Sequence, residues 1–128
     1  MSANSPTATY TRNAVLSASR ARLVSLMYEG AIRFVEQARY NLDRGNTAAC
    51  GAAISRAYNV VSELKVALDF EAGGEVGGEI ASNLDRLYGF AMDALVAANV
   101  ERSREKLDEV LEVLKILEGG WSGALLEG

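Results

Sequence analysis

Residues 23–34 read LVSLMYEGAIRF, and apolar side chains occur on most sides of the helix that this stretch predicts. One stripe recurs at helical spacing and consists of Leu23, Met27, Gly30, Phe34 and Ala38. A second stripe consists of Val24, Tyr28, Ile32 and Val35. Together they cover roughly two thirds of the circumference, which is typical of a helix packed on several neighbours. We therefore predict a central helix from about Arg20 to Arg44, with Ser19 as its N-cap.

Three further helices are predicted on the C-terminal side of this segment. No proline follows Pro6, and glycines cluster at Gly45, at 73–78 and at 119–128. Between these clusters, apolar spacing predicts helices over Thr47–Leu68, Ile80–Ala98 and Glu101–Leu117. The expected inward residues are Ile54, Ala57, Tyr58, Val61, Leu64 and Leu68, then Leu84, Leu87, Ala91 and Leu95, then Leu107, Val110, Leu111, Leu114 and Leu117.

Short connections between these helices favour antiparallel neighbours. The sequence thus predicts an all-α fold, an antiparallel up-down four-helix bundle, with room for a short extra helix at one or both termini. The 128 residues fit a single helical-bundle domain, 1–128. Within it we expect residues 1–18 to form a flexible N-terminal arm. Residues 119–128 are expected to form a Gly-rich tail or a short helix that packs Trp121 against the bundle.

The composition argues against an enzyme. The chain contains no histidine and a single cysteine, Cys50, so the commonest general base and the usual zinc ligands are missing. The loop Gly73–Gly78 lacks the Lys-Ser/Thr end and the preceding strand of a phosphate-binding loop. A helical mutase that holds a dicarboxylate between Arg, Lys and Glu side chains is the alternative, but no spacing selects it. We expect no catalytic, metal or cofactor-binding residues and no cofactor.

The charge and hydropathy patterns narrow the choice of partners. The net charge is −4, which argues against nucleic acid as a partner. No apolar run reaches the ~20 residues that span a bilayer, and the N-terminus does not resemble a signal peptide. We therefore expect no membrane partner and a cytoplasmic location. Residues 1–60 carry a net charge of +4 and residues 61–128 carry −8, which predicts either that oppositely charged helices lie side by side or that the charged surfaces guide a partner.

Several ordered strings resemble the FliS family of flagellar export chaperones. They are YTRNAVLSAS at 10–19, LVSLMYEGAIRF at 23–34, GGEIASNLDRLYGF at 77–90, Ala97-Ala98-Asn99, Leu107-Asp108-Glu109-Val110 and Trp121. The resemblance covers nearly the whole chain. It implies a cytosolic chaperone that binds the C-terminal segment of flagellin, prevents its premature polymerisation and delivers it to the flagellar type III export apparatus. It also associates the N-terminal arm with docking at the export gate.

The resemblance implies an apolar groove, and the sequence offers candidates for it. The candidate partner-binding residues lie off or at the edge of the main apolar seams and are Tyr28, Ile32, Val35, Tyr58, Val66, Phe90, Val96 and Ile116. The alternative for each of them is a place in the core or the role of an ordinary exposed apolar residue. The arm offers Tyr10, Val15 and Leu16, which either cap the core or occupy the groove until flagellin displaces them. The alternative function is a generic helical interaction bundle that dimerises through its apolar groove.

The chain departs from the family pattern in two places. Ser19-Arg20-Ala21-Arg22 stands where the family usually has Ser-Pro followed by an acidic residue. Gly-Gly-Glu occurs twice, at 73–75 and 77–79, where the family usually has it once.

The altered start predicts a frayed N-terminus for the first helix, because two arginines oppose the positive end of its dipole. Amide hydrogen exchange should be faster at Arg20–Leu23 than at Ile32–Ala38. Equal protection of the two segments would refute this.

Overall fold

The structure is a computed structural model that describes the backbone of residues 6–127 and their side chains except those of Pro6, Tyr10, Ser17, Leu126 and Glu127. It contains four helices, α1 (Pro6–Asp43), α2 (Thr47–Val66), α3 (Gly74–Glu101) and α4 (Arg104–Glu127). No strand occurs within the described part of the chain. The helices form a four-membered ring in which α1 and α3 each pack against α2 and α4. The predicted all-α four-helix bundle is confirmed.

Two tight turns set the antiparallel order. Gly45 has a φ of +75°, and the N–H of Asn46 donates to the carbonyl oxygen of Asn41 at 2.9 Å, which closes the end of α1. Between α3 and α4, Arg102 takes the left-handed conformation with a φ of 54°. The Ser103 hydroxyl then accepts from the N–H of Lys106 at 3.2 Å and caps α4.

The predicted start of the first helix at Arg20 is wrong. Helix α1 begins at Pro6, so Ser19 lies inside the helix and is not its N-cap. Arg20 and Arg22 therefore lie far from the positive end of the helix dipole, and the predicted fraying at Arg20–Leu23 loses its physical basis. Residues 6–18, expected as an arm, are the first part of this same helix. The small and polar residues there do not interrupt a helix, and the proline stands at its first position, where its missing N–H costs nothing.

The ends of α3 and α4 also differ from the prediction. The glycine repeat was expected to form a loop, but α3 begins at Gly74 and includes most of it. Asn99 does not end α3, which continues to Glu101. Helix α4 runs past Gly119 and Gly120 to Glu127. The indole N–H of Trp121 donates to the Ser25 hydroxyl at 2.9 Å, so Trp121 packs against the bundle as predicted.

The core is built largely from small residues. Its alanines are Ala31, Ala38, Ala53, Ala57, Ala91, Ala94 and Ala98. Its fully buried larger side chains are Val35, Val61, Leu95, Leu107, Val110 and Leu114. The predicted inward positions of α2 and α4 are buried or partly buried, whereas Leu23 and Leu87 are exposed at 57% and 39%. The core stripe of α1 instead follows Tyr28, Ala31, Val35 and Ala38.

A tyrosine pair joins the two helices that lie on the diagonal of the ring. The hydroxyl oxygens of Tyr28 in α1 and Tyr88 in α3 are 2.5 Å apart and share a hydrogen bond. Both residues are buried, each 3% exposed. Burial raises the pKa of both hydroxyls, so both are neutral at ordinary pH.

Exposed ion pairs join neighbouring helices on the outside of the ring. Arg39 of α1 pairs with Asp108 of α4 at 3.1 Å. Arg104 of α4 pairs with Asp43 of α1 at 3.4 Å. Lys65 of α2 reaches Asp85 of α3 at 2.8 Å. Of these three pairs, only Arg39–Asp108 joins a base of residues 1–60 to an acid of residues 61–128, and such exposed pairs add little stability.

The tyrosine pair predicts a non-additive mutant cycle. Tyr28→Phe should lower the free energy of unfolding by about 1–3 kcal/mol, because it leaves the Tyr88 hydroxyl buried without a partner. The double variant with Tyr88→Phe should lose less than the sum of the two single losses. Urea denaturation measures all four proteins, with Tyr40→Phe as an exposed control. Additive losses would contradict a coupled pair.

Two glycines predict opposite responses to alanine. A Cβ on Gly77 would lie 1.9 Å from the carbonyl oxygen of Ala72, whereas nothing lies within 4 Å of a Cβ on Gly119. Gly77→Ala should therefore destabilise the fold by about 1–3 kcal/mol. Gly119→Ala should stabilise it by about 0.5–1 kcal/mol, as in any open helix interior. Thermal and urea unfolding report both changes, and equal signs would refute the close approach at Gly77.

Candidate functional site

A surface depression lies between α2 and α3. Its lining residues, which define the α2/α3 groove, are Ile54, Ser55, Tyr58, Asn59, Val96, Asn99 and Val100. The groove has a volume of about 250 Å³. No charged side chain lines it. Val96 and Val100 are 51% and 79% exposed, so apolar surface here is open to a partner.

The groove arises from the spacing of apolar residues on two antiparallel helices. Ile54 and Tyr58 are four residues apart on α2, and Val96 and Val100 are four residues apart on α3, so each pair lies on one helical face. Both helices are polar immediately beside these pairs, at Asn59 and Asn99. The side-chain amides of these two residues make no hydrogen bond within the described residues and are free to pair with a partner.

The structure divides the predicted partner-binding residues among several places. Tyr58 and Val96 meet in the α2/α3 groove. Tyr28 and Val35 belong to the core, 3% and 0% exposed, and Ile32 is partly buried against it. The others are exposed and lie apart, at Val66 near the end of α2, at Phe90 on α3 and at Ile116 on α4. Tyr28 and Val35 are seven residues apart, about two helical turns, and lie on the buried stripe of α1.

Sequence reasoning found only Tyr58 and Val96 among the groove residues. Val100 and Ile54 were not among the candidates, although each is one helical turn from a candidate on the same face. Asn59 and Asn99 were also missed as groove residues. The signal that would have found them is the pairing of two antiparallel helices, because only the register of α2 against α3 shows which faces meet.

The N-terminal candidates lie on the extension of α1. Val15 and Leu16 are 59% and 49% exposed. In this structure they therefore cover neither the core nor the α2/α3 groove. The side chain of Tyr10 lies outside the described residues.

A second apolar surface runs along this part of α1. The α1 stripe consists of Val15, Ala18, Ser19, Arg22, Leu23 and Leu26. These residues recur every three or four positions and so form one helical face. Leu23 and Leu26 are 57% and 47% exposed. This stripe was not predicted, because Leu23 was assigned to the core.

The described residues do not assemble a metal centre. No group of acidic residues and cysteine that could hold a metal ion occurs among them. Burial raises the pKa of the Cys50 thiol, against a smaller opposing effect of Arg102, so the thiol stays protonated. Cys50 is 6% exposed and packs in the core, as expected. In the part of the chain that the structure describes, no helix has the length and apolar character needed to cross a bilayer.

Comparison with known proteins gives a consistent result. The family model for the flagellar protein FliS matches residues 2–127. The flagellar secretion chaperone FliSB of Pseudomonas aeruginosa is 37% identical over 109 residues, which is 85% of this chain and 83% of the relative. FliS of Salmonella typhimurium is 36% identical over 110 residues, which is 85% of this chain and 78% of the relative. FliS of Bacillus subtilis is 22% identical over 125 residues, which is 98% of this chain and 90% of the relative.

Proposed function

The chain belongs to the FliS family of flagellar secretion chaperones, which is not an enzyme family, and we propose that its client is the C-terminal segment of flagellin. The chaperone binds this segment in the cytoplasm, keeps it from polymerising too early and helps to deliver it to the flagellar type III export apparatus. The observation that carries the proposal is the uncharged α2/α3 groove, an open apolar surface on a protein whose family handles flagellar export clients.

The shape and chemistry of the groove favour a helical ligand. Tyr58 and Val96 offer apolar surface for the apolar face of an amphipathic segment, which is the usual helix-in-groove mode. The amides of Asn59 and Asn99 supply donors and acceptors for polar groups at the edge of that face. The absence of charge from the lining favours a segment that presents uncharged side chains, because an unpaired charge is costly to bury.

The remaining exposed candidates define secondary contacts. Val66 lies on α2 beyond Tyr58, and Phe90 and Ile116 lie on other faces of α3 and α4. A segment that wraps around the bundle after leaving the groove would reach them in turn. Such a segment orders on binding, so part of the interaction energy offsets lost chain entropy. Docking at the export gate through the N-terminal part of α1 belongs to the same proposal.

Substitution in the groove tests this assignment. Val96→Asp should weaken binding of a flagellin C-terminal fragment at least tenfold, because the fragment would bury an unpaired carboxylate. Tyr58→Asp should act in the same direction. Isothermal titration calorimetry measures the affinities, and far-UV circular dichroism checks that each variant remains helical.

The matched control lies on the α1 stripe. Leu26→Asp introduces the same charge at a residue of similar exposure, 47% against 51% for Val96. It should leave flagellin binding within about twofold of the unsubstituted protein. If Leu26→Asp abolishes binding and Val96→Asp does not, the client docks on α1 and the groove assignment is wrong.

The rival function is a regulatory bundle that dimerises through the groove. It predicts a dimer that Val96→Asp dissociates and no binding of the flagellin fragment. Light scattering coupled to size-exclusion chromatography, with and without the fragment, separates the two functions.

A further inference from the structure

A cavity lies at the end of the bundle where α2 ends and α4 passes α1. Its lining residues, which define the Trp121 cavity, are Val24, Tyr28, Leu64, Ala67, Leu68, Leu84, Tyr88 and Trp121. Its volume is about 160 Å³. Cavities of roughly 150 Å³ with an apolar lining hold a benzene-sized molecule in other proteins. The Trp121 cavity shares no residue with the α2/α3 groove.

The lining combines an apolar wall with one spare hydrogen-bond donor. Tyr28 and Tyr88 carry two hydroxyl protons, and their mutual hydrogen bond uses only one of them. No other acceptor for either hydroxyl occurs among the described residues. A buried donor without an acceptor costs free energy, and a guest with an acceptor oxygen would remove that cost.

The lining of the Trp121 cavity also disfavours a charged ligand, and the cavity is accessible from the surface. No residue that is charged at neutral pH lines the cavity. Trp121, Val24, Leu68 and Leu84 are only partly buried, so the cavity reaches the surface on that side. The indole ring offers an aromatic face or edge to a guest ring. Its N–H is already bonded to Ser25, which fixes the ring in place.

We propose that the Trp121 cavity is a binding site for a small, neutral aromatic molecule that carries one hydrogen-bond-accepting oxygen. The ring of the guest fills the apolar part, and its oxygen accepts the spare proton of the tyrosine pair. Binding involves no covalent step, and it does not depend on the proposed flagellin site.

Benzyl alcohol is a suitable probe, and Trp121 is the reporter because the chain has no other tryptophan. Titration of the full chain with excitation of the indole alone should give a saturable change in Trp121 emission, with a dissociation constant in the millimolar range or tighter. Toluene lacks the oxygen and should bind about three- to tenfold more weakly, as expected for one lost hydrogen bond. Benzoate should not bind, because its charge would be buried without a partner.

Filling the cavity should remove the site. Val24→Phe adds volume at a lining residue and should weaken benzyl alcohol binding at least tenfold. Val76→Phe adds the same volume at a residue that is 67% exposed and does not line the cavity, and it should leave binding unchanged. Ala67→Leu at the end of α2 fills the same space and replaces Val24→Phe if that variant does not fold by circular dichroism.

Three outcomes would overturn the proposal. One is a linear, unsaturable response of Trp121 to benzyl alcohol, which indicates solvent effects only. Another is equal binding of benzyl alcohol, toluene and benzoate. The last is unchanged affinity in a folded cavity-filling variant, which would place the probe elsewhere on the surface.

Discussion

The hydrogen bond between Tyr28 and Tyr88 crosses the centre of the ring and joins helices that do not otherwise pack against each other. Around it the core is built from alanine, valine and leucine, whose contacts carry little directional information. A bond between two buried hydroxyls has a narrow range of lengths and angles, so it fixes the height of α1 relative to α3. Helices α2 and α4 complete the ring, and each of them packs against both α1 and α3.

The register that follows from this diagonal positions the rest of the molecule. With α1 and α3 aligned, α2 pairs with α3 so that Tyr58 and Val96 share one groove. On the other side, α4 pairs with α1 so that Trp121 reaches Ser25. The Trp121 cavity is lined by the same tyrosine pair and by Ala67, the small residue that follows the last residue of α2. The α2/α3 groove and the Trp121 cavity thus both depend on how the four helices pack, and they lie at different places on the bundle.

Much of the fold was predictable, and the errors have a common physical cause. Helical spacing identified α2 and the core of α4, where apolar residues form one narrow stripe. Prediction from helical spacing failed where the local helix preference of a residue disagrees with its tertiary contacts. Gly119 and Gly120 weaken a helix locally, yet Trp121 anchors the chain beyond them. At Gly77 the close approach of the Ala72 carbonyl requires the absence of a side chain, and this contact is invisible in the sequence. The site was predictable only in part, since the broad apolar surface of α1 did not reveal which side faces the core.

The unbroken length of α1 affects how the molecule tumbles in water. Its 38 residues span about 57 Å at the helical rise of 1.5 Å per residue, nearly twice the length of the 20-residue α2. No proline interrupts the helix between its first residue and the buried Tyr28, so no proline kink separates its exposed end from the body. The particle therefore has one long axis set by a single helix. Its rotational diffusion is anisotropic, and amide bonds parallel to α1 relax differently from those that cross it.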